Sequence, residues 1–405
     1  MDYSSLYSKA ARGVKYSPIR KMAKMSQQPG VISFAAGAPS AETFPVEAIQ
    51  RVTDQILRND GKAALQYGLT LGFSGLIDAV LEISGLRGIK PLSSGQVAIT
   101  NGSQQALDLV GRLFLDPGDV VLVELPSYIG ALAAFRNHQA QLVGVSQEAD
   151  GISLQELQAV LDQLASSGRR AKILYLIPNF QNPSGTTLSL EKRKALVYLA
   201  AQHQLLIVED DPYGELYYDP KVADRLQPLK AFDEEGVVLY LSPLSKVLSP
   251  GLRSGWMIAP ESVIDQLDMV KQAADLCGSM LDQRIVAECW RQGIIQDQLP
   301  QIRRFYRQKC RVMVDSLGAS MPPGVQWRTP AGGLFLWLTL PESVDSEDLL
   351  RMAFEEEKVI FVVGSPFFVN GEGCNTLRLA FSKENEDNIR AGISKLARIL
   401  KAHLE

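Results

Sequence analysis

Short apolar, β-branched runs alternate with stretches of helical period through the first two thirds of the chain, and no other feature narrows its fold as much. Residues 97–100, 120–124, 173–177, 205–208, 237–241 and 254–258 are strand candidates. Helix candidates at 103–115, 127–137, 154–166 and 190–202 lie between most of them. Strands that read as continuous apolar runs are covered on both faces, and a helix between successive strands returns the chain to pair in parallel. The pattern predicts an α/β unit with a mainly parallel sheet sandwiched by helices.

After about Ala259 the pattern changes. Helical segments are expected at 261–292 and 299–317, strand-like pieces at 333–340, 359–363 and 376–380, and a last helix at 386–402. This reads as a smaller α+β unit. The first residues form an arm, with a strand-like piece at 31–35 closed by Gly37, Pro39 and Pro45. The expected division is an arm at 1–44 packing with the small domain and the site, a large domain at 45–292 and a small domain at 293–405.

A content of 46% hydrophobic residues in 405 is enough to bury cores of this size. Acids and bases are mixed to a formal charge of −4, which gives neither a nucleic-acid stripe nor a polybasic membrane patch. His138, His203 and His403, and Cys277, Cys289, Cys310 and Cys374, fall at no metal-ligand spacing. A reduced, cytoplasmic setting without a bound metal is expected. The polar, basic N-terminus lacks the apolar centre of a secretory signal, and no apolar run nears the ~20 residues needed to span a bilayer.

Ligands of open α/β sheets bind at the carboxyl ends of strands, so the loops there hold the informative residues. In Ile99-Thr100-Asn101-Gly102-Ser103-Gln104, a strand turns at Gly102 into a helix whose free N–H groups and Ser103 hydroxyl can cradle an anion. Ser103 as an ordinary N-cap is the competing reading. In Pro178-Asn179-Phe180-Gln181-Asn182-Pro183-Ser184-Gly185, a fixed loop presents the Asn182 amide to a phenolate oxygen, although such a turn alone is common. Val208-Glu209-Asp210-Asp211-Pro212-Tyr213 ends an apolar strand in acids, which are costly to bury without a cation such as a protonated ring nitrogen. A solvated strand end is the alternative. Lys246 lies between apolar runs with Arg253 seven residues on, and partial burial near cations lowers an amine's pKa, as a Schiff-base lysine needs. A lone lysine is otherwise a surface charge. Arg253 can join the anion at Gly102 and Ser103 through a bidentate contact. Arg378, alone in an apolar strand, requires an anion: a substrate carboxylate or a structural partner.

The ordered motifs NGSQQAL, PNFQNPSG, EDDPY, SKVLSPGLR and NTLRLAFS resemble those of the fold-type I pyridoxal 5′-phosphate (PLP) aminotransferases, class I/II. They are most similar to the branch with 2-aminoadipate and kynurenine aminotransferases. The resemblance, which includes SPIRKM and FAAGAPSAETFP, runs from about Tyr16 to the end. It implies a seven-stranded-type sheet in a large PLP-binding domain, a smaller domain and an N-terminal arm. It also implies ping-pong transamination from an L-amino acid (2-aminoadipate, aromatic or branched/aliphatic) to a 2-oxo acid such as 2-oxoglutarate.

By the same resemblance, Lys246 carries the cofactor as a Schiff base and moves the proton, and Asp210 pairs with the pyridinium. Asn182 and Tyr213 hold the phenolic oxygen, and Tyr128 stacks on the ring and belongs to the catalytic group. Gly102, Ser103, Gln104, Ser245 and Arg253 bind the phosphate. Arg378, with Gly37 and Asn182, binds the substrate. Tyr67 is donated across a homodimer interface. From its place in SPIR on the arm, Arg20 is expected to meet the substrate side chain, with a surface arginine as the alternative. Phe335 and Trp337 are candidates for an apolar wall or, as alternate residues of a strand, for simple core. The chain departs from the pattern at Pro243, where a Ser or Thr is common and Ser242 is the available substitute, and in GLTLG after Tyr67. The rival readings are β-lyase, decarboxylase or racemase chemistry on the same fold, or a regulator's effector domain. Against the last stand the absence of a DNA-binding segment and of a basic surplus.

Overall fold

A computed structural model describes residues 1, 3–13, 22 and 25–404. Its centre is an eight-stranded sheet. In spatial order the strands are β2 (Val97–Thr100), β9 (Gly255–Ile258), β8 (Val238–Pro243), β7 (Leu206–Asp210), β6 (Ala171–Leu176), β3 (Val120–Leu125), β4 (Gln141–Glu148) and β5 (Gly151–Ile152). Pairing is parallel from β8 through β4. β9 is antiparallel to both its neighbours, and β5 is a two-residue antiparallel annex, so the expected seven strands become eight.

The apolar runs divide between two layers, as the period of two in a strand requires. Leu122, Leu174, Ile207 and Val238 pack against the helices Leu154–Ser166 and Leu190–His203. Val121, Val123, Ile173, Val208 and Leu239 face the helices Ser103–Phe114, Ile129–Asn137 and Glu261–Asp275. β4 was not among the strand candidates. Its sequence QLVGVSQE is mostly half-buried or exposed and carries Gly144 at the point where any Cβ would meet the Leu125 side chain at 2.5 Å.

The helix expected at 261–292 is two helices, Glu261–Asp275 and Met280–Arg291. Leu276 adopts φ +64, a left-handed conformation that ends the first helix, and the Ser279 hydroxyl caps the second by accepting from the Asp282 N–H. The next helix, Ile294–Ser320, starts five residues before the expected 299, with Pro300 inside it.

β10 (Gln326–Trp327), β11 (Phe335–Thr339), β14 (Thr376–Ala380) and β13 (Val362–Val363) form an antiparallel sheet in that order. The helices Ile294–Ser320 and Glu386–Leu404 pack together alongside it. The arm joins this part of the chain: β1 (Ile32–Ser33) pairs in parallel with β12 (Val359–Ile360), and the Phe34 carbonyl accepts from the Ala380 N–H at 2.8 Å. No helix among the described residues is long and apolar enough to cross a membrane.

Arg193, on the helix Leu190–His203, is fully buried, and burial lowers its pKa to about 10. It donates to the carbonyls of Leu188, Pro178 and Gln227 and to Asn179 Oδ1. Arg193→Met removes the donor to Leu188, Gln227 and Asn179, while the Pro178 carbonyl keeps the Leu188 N–H, and should lower stability by roughly 3 kcal/mol. Urea unfolding checks this, and an unchanged midpoint would show that the bonds hold nothing.

Candidate active site

A cavity of about 380 Å³ lies at the carboxyl ends of β3, β6, β7 and β8. Lys246 enters it from the short 3-10 turn Leu244–Lys246 that follows β8. Its Nζ donates to the Gly37 carbonyl at 3.4 Å. Burial lowers the amine to about 8, helped by the nearby charges of Arg253 and Arg378 and opposed by Asp210.

Asp210 closes β7 and is 2% exposed. Burial pushes its carboxyl up to about 7 against the pull of the Ser103 and Tyr175 hydroxyls. The Tyr175 phenol donates to Oδ2 at 3.1 Å, whereas Oδ1 and the Ser103 hydroxyl complete no hydrogen bond. A buried carboxylate oxygen left open in this way is costly, and a protonated ring nitrogen would both satisfy it and restore its charge. The site therefore fits the PLP that the sequence motifs imply.

The strand Val97–Thr100 turns at Gly102 into the helix Ser103–Phe114, the local form expected of an anion cradle. Gly102 has φ +75, and a Cβ there would fall 2.9 Å from Arg253 Nη2. The helix Ser103–Phe114 begins beside it, and its first N–H groups have no acceptor within the helix. Gln104 reaches away through its side chain, donating to the Gly130 carbonyl and accepting from the Tyr128 hydroxyl at 3.4 Å. Ser245 is buried and lines the cavity, and exposed Arg253 donates to the Asn101 carbonyl.

Arg378 lies on β14, 1% exposed. Nη1 donates to Asn182 Oδ1 and Nη2 to the Ala35 carbonyl, each at 2.8 Å, while Nε is unpartnered. The guanidinium stacks over Phe335 at 4.4 Å and Phe367 at 5.3 Å. Its pKa is lowered to about 10 by burial, opposed by Tyr213 and Tyr128. Gly37 is required here, because a Cβ would lie 2.7 Å from the Phe335 ring. Tyr213, buried beside Asn182, has its phenol pushed up by burial.

Lys246, Asp210, Asn182, Tyr213, Tyr128, Gly37, Gly102, Ser103, Gln104, Ser245, Arg253 and Arg378 thus share one cavity. Tyr67 does not, and is 77% exposed. Arg20 lies outside the described residues. Phe335 and Trp337 are not in the cavity wall. Phe335 backs Arg378, and Trp337 packs edge-on against Phe367, so the apolar-wall expectation is corrected. Ser242 does not replace the hydroxyl missing at Pro243. It donates to the Asp211 carbonyl and lines a second cavity of about 480 Å³, which shares Pro212 and Pro243 with the first. Sequence reasoning missed Tyr175 and Asn179. Tyr175 carried a signal, since a tyrosine inside a fully apolar strand needs a partner for its hydroxyl. Asn179, which bridges Arg193 and Asp211, carried none.

Residues 29–396 match the family described as aminotransferase class I and II. The chain is 41% identical to aromatic-amino-acid aminotransferase 1 of Thermococcus litoralis, covering 100% of this chain and 96% of that one. It is also 41% identical to the 2-aminoadipate transaminase of Thermus thermophilus, over 100% and 98%. The crystal structure of Pyrococcus horikoshii kynurenine aminotransferase, solved in complex with PMP and kynurenine, matches with a TM-score of 0.95 at 38% identity, over 100% and 99%.

An amine acts as a nucleophile only when neutral, so a Lys246 pKa near 8 sets the pH at which the apoprotein captures an aldehyde. The capture rate of PLP, followed by stopped-flow absorbance, should rise from pH 6.5 and level off above about 9. A rate still climbing beyond pH 10 would place the amine at its ordinary value.

Proposed function

The chain belongs to the class I and II aminotransferases, and on that premise we propose that Lys246, Asp210, Asn182 and Arg378 divide the work of one transamination site. It is a PLP-dependent enzyme whose substrates are amino acids and 2-oxo acids. The observation that carries the division of roles is the open Oδ1 of buried Asp210 in one cavity with Lys246.

When bound, PLP supplies an electron sink for the charge left as the amino acid's Cα–H breaks. Asp210 Oδ1 holds the proton on the ring nitrogen. Lys246 Nζ, whose amine burial lowers to about 8, would take the proton from the substrate Cα as general base and hand it on as general acid within the same half-reaction, completing the 1,3-proton shift. Asn182 and Tyr213 direct polar groups at the ring oxygen, and Tyr128 covers a ring face. Gly102, Ser103, Gln104, Ser245 and Arg253 take the phosphate. Arg378 holds the substrate α-carboxylate, with Asn182 and Gly37 fixing its position.

The relatives' names, which cover aromatic amino acids, 2-aminoadipate and kynurenine, support donors of these kinds. Branched or aliphatic donors and an acceptor such as 2-oxoglutarate rest on the sequence resemblance alone. Arg20 enters this reading only through the sequence, which expects it to meet the substrate side chain. A homodimer is proposed from the exposure of Tyr67 between exposed Leu65 and Leu69, an apolar patch that a second subunit would cover while Tyr67 reaches its phosphate. A cytoplasmic setting, and the division into an arm at 1–44, a large domain at 45–292 and a small domain at 293–405, belong to the same reading.

Two experiments test it. Lys246→Ala should retain its fold by circular dichroism and lose turnover, while Arg378→Ala should lower kcat/KM for donors roughly 100-fold, as losing one partner of a buried charge pair does. Retained activity in Lys246→Ala would overturn the assignment. In the second, the loaded enzyme is mixed with a donor panel lacking acceptor, and one oxo acid should form per site. Release of ammonia or carbon dioxide instead would point to β-lyase or decarboxylase chemistry.

A further inference from the structure

Beside the Gly102 turn, and outside the residues that line the cavity, lies the carboxylate of Asp275. Asp275 ends the helix Glu261–Asp275, immediately before the left-handed Leu276. Its Oδ1 and Oδ2 take the ammonium of Lys271, a lysine 1% exposed, at 2.9 and 3.1 Å. Oδ2 also accepts from Asn101 Nδ2 at 3.0 Å and from Gln105 Nε2. Asn101 is then held through its main chain as well: its N–H donates to Gln105 Oε1 at 2.7 Å, and its carbonyl accepts from Arg253 Nη2 at 3.0 Å.

We propose that Asp275, backed by Lys271, is a positioning residue for phosphate binding, fixing Asn101 so that the Gly102–Gln104 turn and Arg253 converge on one anion. Asp275 touches neither cofactor nor substrate. It acts on residues either side of the turn, Asn101 before it and Gln105 in the first turn of the helix after it. A five-residue segment, Asn101 to Gln105, held at both ends by one carboxylate cannot open without breaking charge-assisted bonds. Gly278 completes the enclosure, since a Cβ there would approach Asn101 Oδ1 at 3.2 Å and Gln283 Nε2 at 2.9 Å. Lys271 pairs with the carboxylate from four residues back on the same helix face and fixes its direction.

The inference rests on the reading that this turn binds the cofactor phosphate, and the experiment separates the two. Apoprotein is titrated with PLP and with pyridoxal, which has the same aldehyde and ring but no phosphate, and binding is followed by tryptophan quenching. The wild type should prefer PLP strongly, and if it does not, the phosphate reading itself fails. Asp275→Asn should weaken PLP roughly tenfold, the lower end of what losing an outer partner of a bound group does. Pyridoxal should change less than about twofold, and Asn101→Ala/Asp275→Asn should bind PLP no worse than Asn101→Ala. Equal weakening of both ligands would make Asp275 a general stability residue. An unchanged PLP affinity in a folded variant would also overturn the proposal. Should Asp275→Asn not fold, Asn101→Ala carries the comparison, because it removes the held amide and leaves the Lys271–Asp275 pair intact.

Discussion

Three successive carboxylates, Glu209, Asp210 and Asp211, are buried where β7 reaches the site, and much of the surrounding structure serves to satisfy them. Bare charges at such depth are costly, so each is answered differently. Glu209 accepts from the backbone N–H groups of Leu229 and Lys230, although burial, reinforced by Asp211, still raises it to about 7. Asp211 takes Arg87, Asn179, Tyr240 and the Gly214 N–H. Asp210, on the face opposite Glu209, receives only Tyr175 in full and leaves Oδ1 unpartnered. Because its neighbours are saturated, Asp210 is the one carboxylate of the three able to respond to a cation in the cavity.

The partners of Asp211 carry this constraint outward. Arg87 is opposed by burial, yet Asp211, Tyr240 and Glu215 more than offset it and raise its pKa. Its other nitrogen meets Glu215 at 2.7 Å, and Glu215 in turn holds Arg303 at 2.6 Å. Arg303 belongs to the helix Ile294–Ser320 and also stacks over Tyr217 at 3.7 Å. A continuous set of ion pairs thus ties the strand end bearing Asp210 to the helix that leads into the C-terminal sheet. Partly enclosed pairs of this kind are screened far less than surface ones.

Most of the central sheet was legible because its strands are buried on both faces and read as plain apolar runs. β4 was not, because Gly144 interrupts its run and its residues are largely half-buried. The break at Leu276 was hidden because nothing local in Asp275-Leu276-Cys277-Gly278 forbids a helix continuing as far as the glycine. Within the site, the residues that line the cavity lie in compact motifs and could be read individually. Those that hold them in place could not, since Asn101 and Asp275, or Asn179 and Asp211, become partners only through the fold. Phe335 shows the same limit. Alternation in β11 placed it on one face, but only the position of Arg378 turns it from a pocket wall into a support for a guanidinium.

The arm's pairing with β12 has a consequence for how the site comes into being. Ala35 and Arg378, 343 positions apart, share a hydrogen bond, and Gly37 is shaped around Phe335. A chain emerging from the ribosome presents its arm first, yet the arm's partners are among the last strands to be made. Lys246, Asp210 and the Gly102 turn all belong to the central sheet and can assemble without them. Completing the cavity around Arg378 therefore requires closing a loop of 343 positions, a far larger closure than any that joins the strands of the central sheet.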